Sequence, residues 1–77
     1  MPLFRFDLQR NDGPWSKDED GLELPSDEDA RREAMTMLGE MAKDHILQVR
    51  SLAIRVWNSE PEPLTTLRLS FRSEERS

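Results

Sequence analysis

The chain of 77 residues has no cysteine and a single histidine. Without cysteine there is neither a disulfide nor a thiolate metal site, which excludes the small secreted scaffolds that rely on them. No apolar run approaches the roughly 18 residues of a membrane span, and the first residues carry no long apolar signal core. The expectation is a cytoplasmic protein with no membrane segment. Gly-x-Ser-x-Gly and phosphate-loop patterns are also missing, so nothing predicts an enzyme or a cofactor. Cations fall short of anions: the net charge is −5, which disfavours nucleic acid and anionic membranes as partners.

A small acidic chain of this length predicts one domain, residues 1–77, with an ordered core at about 2–72 and a frayed end at 73–77. Such a domain buries only about 60% of its unfolded surface, so its core is thin. The acid is unevenly spread. Residues 1–29 carry a charge of −6 and residues 30–77 a charge of +1, with half of the 16 carboxylates between Asp12 and Asp29.

One long amphipathic segment, Leu24 to about Ile46, organises the rest. Ser26 is a helix N-cap, and Asp29 three residues on completes a capping box by reaching back to the Ser26 N–H. Asp27, Glu28 and Asp29 suit the positive end of the helix dipole. Ala30, Ala34, Met37, Leu38, Met41, Ala42 and His45 recur at helical spacing, and Met35 and Ile46 widen the apolar arc. Gly39 predicts a close backbone neighbour. The helix end falls between Asp44 and Val49.

The flanking segments alternate with period two. Phe4, Phe6 and Leu8 share one face of a first strand. The turn signal Asn11-Asp12-Gly13-Pro14 leads to a short return from Trp15 to about Asp18, and Asp18-Glu19-Asp20-Gly21 turns again. Leu22 and Leu24 lead into the cap, one or both tucked under the helix. Beyond a polar connector, Gln48 to Ser51, Leu52, Ile54 and Val56 oppose Ala53, Arg55 and Trp57 across the next strand. A Pro-rich loop separates it from a last strand, Leu64 to about Arg72, whose Leu67, Leu69 and Phe71 face inward. The order β-β-α-β-β predicts a two-layer α+β domain. One helix covers one face of a mostly antiparallel four-stranded sheet, in the spatial order 2-1-3-4.

Several features resemble an uncharacterised family of short bacterial proteins common in rhizobia, a domain of unknown function. They are the opening Pro2, Phe4, Phe6, Asp7 and Leu8, the acidic turn Asp18 to Gly21, Glu23-Leu24-Pro25, the helix pair Ala30 and Ala34, and the strands LAIRVWN and LRLSF. The resemblance implies a fold and no activity. The strand, Asp-x-x-Gly turn, Pro and Ala-rich helix are also similar, as a fold analogy, to antitoxin domains of HicB type.

Two constellations could carry binding. Ser16, Asp18, Asp20, Gly21 and Asp27 fall at EF-hand-like loop positions 1, 3, 5, 6 and 12. Ser at the first position, the short Asp at the last and Pro14 ahead of them weigh against calcium, so no metal site is expected. His45, on the apolar arc, reads as a packed residue or a dipole partner. The stronger candidate is the sheet face away from the helix, where alternation gathers Arg5, Arg55, Trp57, Arg68 and Arg72. Alternation by itself gives a plain solvated face with Asp7 pairing one arginine; beyond that, arginines around an aromatic fit a protein partner, including a second copy of the chain, or a nucleic-acid backbone with a stacked base. The expected function is a small non-enzymatic interaction or accessory domain, with a homodimer as one form. The alternative is a nucleic-acid-associated regulator of HicB-like antitoxin type.

Overall fold

A computed structural model describes residues 1–45 and 50–72, the side chain of His45 excepted. Ile46, Gln48 and the end at 73–77 lie outside the described residues, as does any packing of His45. The elements run β1 (Leu3–Arg10), β2 (Trp15–Ser16), β3 (Leu22–Glu23), α1 (Asp27–His45), β4 (Ser51–Trp57) and β5 (Thr65–Ser70). One α-helix and one antiparallel sheet make a small α+β fold.

The sheet order β2-β1-β4-β5 is the expected one, with a fifth strand added. The return after the first turn is not one strand. β2 pairs with the end of β1 (Leu8↔Ser16, Gln9↔Trp15), and β3 pairs with its beginning (Leu3↔Glu23, Phe4↔Leu22). The expected four-stranded sheet therefore becomes five-stranded, because Leu22 and Glu23 rejoin β1 before the helix starts. Leu22 stays 42% exposed, while Leu24 packs against the core.

Strand phases follow from the alternation. Phe4, Phe6, Leu52, Ile54 and Val56 are buried with Ala30, Ala34 and Leu38 of α1. Leu67, Leu69 and Phe71 are half-buried against them. The two alanines let the helix approach β4 and β5 closely. The helical arc is narrower than expected, since Met35 is 66% exposed. It sits one residue from Ala34, about 100° further round the helix, and so leaves the covered stripe. Gly39 has nothing within 4 Å of where a Cβ would stand, so no close neighbour explains it.

The cap differs in one bond. The Asp29 N–H donates to Ser26 Oγ at 3.3 Å, and the Ser26 hydroxyl donates to Asp29 Oδ2 at 2.8 Å. The carboxylate is held by the hydroxyl rather than by the Ser26 N–H. The first turn closes through a Gly13 N–H···O=C Arg10 bond of 2.9 Å, with Asn11 and Asp12 at φ 50° and 57°. Two positive φ values at the centre are those of a type I′ hairpin turn. Asn11 then ties this turn to β4: its Oδ1 accepts from Arg50 N at 2.7 Å and Ser51 N at 3.2 Å.

Candidate interaction face of the sheet

The face away from α1 is built by the odd residues of β1, Ala53, Arg55 and Trp57 of β4, and Thr66 and Arg68 of β5. Registry sets Arg5 opposite Trp57, Asp7 opposite Arg55, and Gln9 opposite Ala53. It continues with Thr66 opposite Arg55 and Arg68 opposite Ala53. Four of the five residues expected on this face thus come together. Arg72 does not, because β5 ends at Ser70 and Arg72 lies beyond the ladder, exposed.

This face is paired and covered. At its centre Asp7 is only 4% exposed. Its Oδ2 accepts the Trp57 indole N–H at 2.8 Å and lies 3.8 Å from Arg5, and its Oδ1 accepts the Asp18 N–H at 2.9 Å. Two hydrogen bonds and a nearby cation offset the cost of burying this carboxylate. The Arg5 guanidinium stacks 5.2 Å from the Trp57 ring centre, and the Arg55 guanidinium 4.1 Å from the Trp15 ring centre. Ala53 on this face is only 2% exposed, so side chains lie over the sheet here.

Asp18 does something the sequence reading missed. Between β2 and β3 the outer edge of β1 has no strand beside it, and the Phe6 N–H faces that gap. Asp18 Oδ2 accepts this N–H at 3.2 Å, while Oδ1 accepts from Asp20 N and Gly21 N at 3.2 Å each. A side chain stands in for a missing strand. Burial pushes the Asp18 carboxyl up, but the N–H groups of Gly21, Phe6 and Asp20 and the Arg5 charge more than offset this, so its pKa lies below the ordinary 3.8. Gly21, at φ 74°, closes the turn where a Cβ would stand 2.9 Å from the Phe4 carbonyl oxygen.

The calcium candidates are dispersed. Ser16 is in β2, the Asp18 oxygens point at N–H groups, Asp20 is exposed, and Asp27 stands in the first helical turn. Among the described residues no group of three or more His, Cys, Asp or Glu could hold a metal ion. No described helix is long and apolar enough to cross a membrane.

The cations on this face are not equally satisfied. Arg5 has Asp7, and Arg68 reaches Gln9 Oε1 at 3.3 Å and Asp12 at 3.9 Å. Arg55 has no carboxylate within 4.0 Å among the described residues, because the opposite Asp7 is committed elsewhere. Its buried Nε has no hydrogen-bond acceptor. Beside Trp57, an open groove of 380 Å³ is lined by Pro2, Leu3, Arg5, Trp57, Asn58 and Ser59.

The family described as a domain of unknown function (DUF6894) matches residues 3–70. No curated protein and no solved structure matches the chain.

Proposed function

Starting from the chain's membership of the DUF6894 family, whose description assigns no activity, we propose that it is a non-enzymatic protein-interaction domain. Its contact surface is the sheet face of Arg5, Arg55, Trp57 and Arg68, and its partner presents carboxylates there. One observation carries this reading: Arg55 is a half-buried cation braced on Trp15, with no acid of its own among the described residues. An arginine held in place by an aromatic has already lost much of its side-chain freedom, so an incoming carboxylate meets a pre-organised fork. Arg68 and the Thr66 hydroxyl flank it on the neighbouring strand.

A protein fits this face better than a nucleic acid. Each indole already carries a guanidinium on its ring, which takes up the platform that a base would stack on. A phosphate backbone would also run over Asp7 and past Asp12. The absence of catalytic work is supported by how the best-held carboxylates are used. Asp7 and Asp18 spend their oxygens on indole and backbone N–H groups. A second copy is one partner with the right charge, through its acidic residues between Asp12 and Asp29.

Anisotropy titrations with labelled deca-glutamate, deca-lysine and a uridine decamer test this. Deca-glutamate binding that weakens with salt and with Arg55→Ala is expected. Retention of the uridine decamer in its place would favour the antitoxin-like regulator. Sedimentation at low and high salt, on wild type and Trp57→Ala, shows whether the partner is a second copy.

A further inference from the structure

The two edges of the sheet are finished differently. On the β1 side the edge is closed piece by piece, by β2, then the Asp18 carboxylate, then β3. On the other side β5 ends the strand order. The Phe71 N–H donates to the Arg50 carbonyl at 2.7 Å, which extends the β4–β5 ladder one pair past Ser51↔Ser70. Hydrogen-bonded pairs alternate along an antiparallel ladder. Leu69, Leu67 and Thr65 therefore bond to β4, while Thr66, Arg68 and Ser70 turn their N–H and C=O groups outward. Among the described residues nothing pairs with them.

Natural sheets guard such an edge with a proline, a bulge or a charge leaning over it. Between Thr65 and Ser70 there is no proline, and the one charge is Arg68. That charge is drawn away from the edge: it crosses Ala53 to reach Gln9 and Asp12 at the far side of the sheet. Among the described residues this edge is unpaired and unguarded.

We infer that β5 is an acceptor for an added strand. Its occupant is an extended segment of another protein in which acidic and aliphatic residues alternate. The inference rests on the reading of the arginine face and sharpens it. An added strand would put alternate side chains on the two faces of the sheet. On the outer face they meet Thr66 and Arg68, with the unpaired Arg55 one strand further in, which selects carboxylates. On the inner face they meet the half-buried Leu67 and Leu69 beside α1, which selects branched aliphatic chains. Backbone bonds supply affinity and the alternating side chains supply specificity. A second copy pairing through its own β5 fits poorly. It would gather Arg55 and Arg68 of both chains on one face, and like charges across strands repel.

The test uses an end-blocked heptapeptide alternating valine and glutamate, with its isomer of the same composition in which the glutamates form one block. The alternating peptide is expected to bind the whole chain at least about tenfold more tightly than the block isomer, because only it can lay down a two-faced strand. It is also expected to slow amide exchange at Thr66, Arg68 and Ser70. Thr66→Pro removes an outward N–H without touching the β4 ladder, and should abolish that preference. Equal binding of the two peptides, or exchange protection elsewhere than β5, overturns the added strand even if deca-glutamate still binds through Arg55. If Thr66→Pro does not fold, the exchange pattern of the wild type decides alone. Loss of all acidic binding, with no effect of Arg55→Ala, would instead overturn the underlying reading of the face.

Discussion

Replacing Asp18 by Asn tests whether a side chain seals the edge of β1. The carboxylate accepts three backbone N–H groups, from Phe6, Asp20 and Gly21, each at 3.2 Å. An amide keeps one acceptor oxygen, enough for the turn, and places an NH2 group against the Phe6 N–H. The loss is then one charge-assisted bond, a donor facing a donor, and weaker bonds to the turn. Hydrogen bonds to charged groups are worth about 1.5–3 kcal/mol, and these are long and partly solvated, so about 1–2 kcal/mol in total is expected. With a urea slope of about 1 kcal/mol/M for so small a domain, the midpoint should fall by about 1–2 M. The pH dependence gives a second reading. Because the folded pKa is depressed, the unfolded chain binds the proton more readily around pH 4. The contribution of Asp18 is thus fully present above the unfolded value of 3.8 and is lost as pH falls through the lower folded value. Urea melts followed by tryptophan fluorescence, from neutral pH down to about pH 2.5, should show a shallower acid limb for Asp18→Asn than for wild type. An unchanged midpoint together with an unchanged acid limb would refute the sealing role.

Gly39→Ala should stabilise the helix by about 0.5–1 kcal/mol, because the position is exposed and a Cβ there meets nothing; a rise of several degrees in Tm checks it. Gly21→Ala should cost at least about 1–2 kcal/mol through its φ of 74° and the 2.9 Å approach to the Phe4 oxygen, read as a lowered urea midpoint. Asn11→Gly keeps the left-handed conformation but loses the bonds to Arg50 and Ser51, so its cost, about 1 kcal/mol, should be smaller than that of Asn11→Ala, which also strains φ. Trp57→Phe should leave the fold intact, yet destabilise by about 1–2 kcal/mol, since it strands the Asp7 oxygen that takes the indole N–H at 2.8 Å.

The sequence shows most clearly what depends on near neighbours. Ala30, Ala34 and Leu38 declare the buried stripe, Ser26 and Asp29 the cap, and Phe4, Phe6, Ile54 and Val56 the inward strand faces. The face that gathers Arg5, Arg55, Trp57 and Arg68 follows from the same period-two rule. What it does not show depends on separations it cannot measure. Asp7 meets Trp57 across 50 residues, and Phe6 meets Asp18 across 12. An Asp-x-x-Gly segment signals a turn whether its carboxylate faces water or a strand edge. Trp15 covers Arg55 only because the turn at Asn11 and Asp12 sets a register of Gln9↔Trp15, and two-residue strands such as β2 and β3 are too short for alternation to register at all. Met35 shows the opposite error: an apolar residue beside the stripe is counted into it, although a step of about 100° is enough to leave it in solvent.

The division of charge ties these parts together. The acid between Asp12 and Asp29 gives the chain its net charge of −5, yet part of it, together with Asp7, is committed to holding the fold. Asp18 seals an edge, Asp29 holds the hydroxyl of the Ser26 cap, Asp12 steadies Arg68 from the hairpin turn, and Asp7 anchors Trp57. Each of these carboxylates is occupied by donors of the chain itself. Three of them, Asp7, Asp18 and Asp29, spend oxygens on indole, backbone and hydroxyl donors, which leaves fewer for guanidinium groups. On the arginine face Arg55 has no acid among the described residues, and a tryptophan holds it. An acidic chain can therefore present a cationic face. That face borders β5, whose outer edge is unpaired among the described residues, so a partner entering along it would meet backbone groups and Arg55 in the same step.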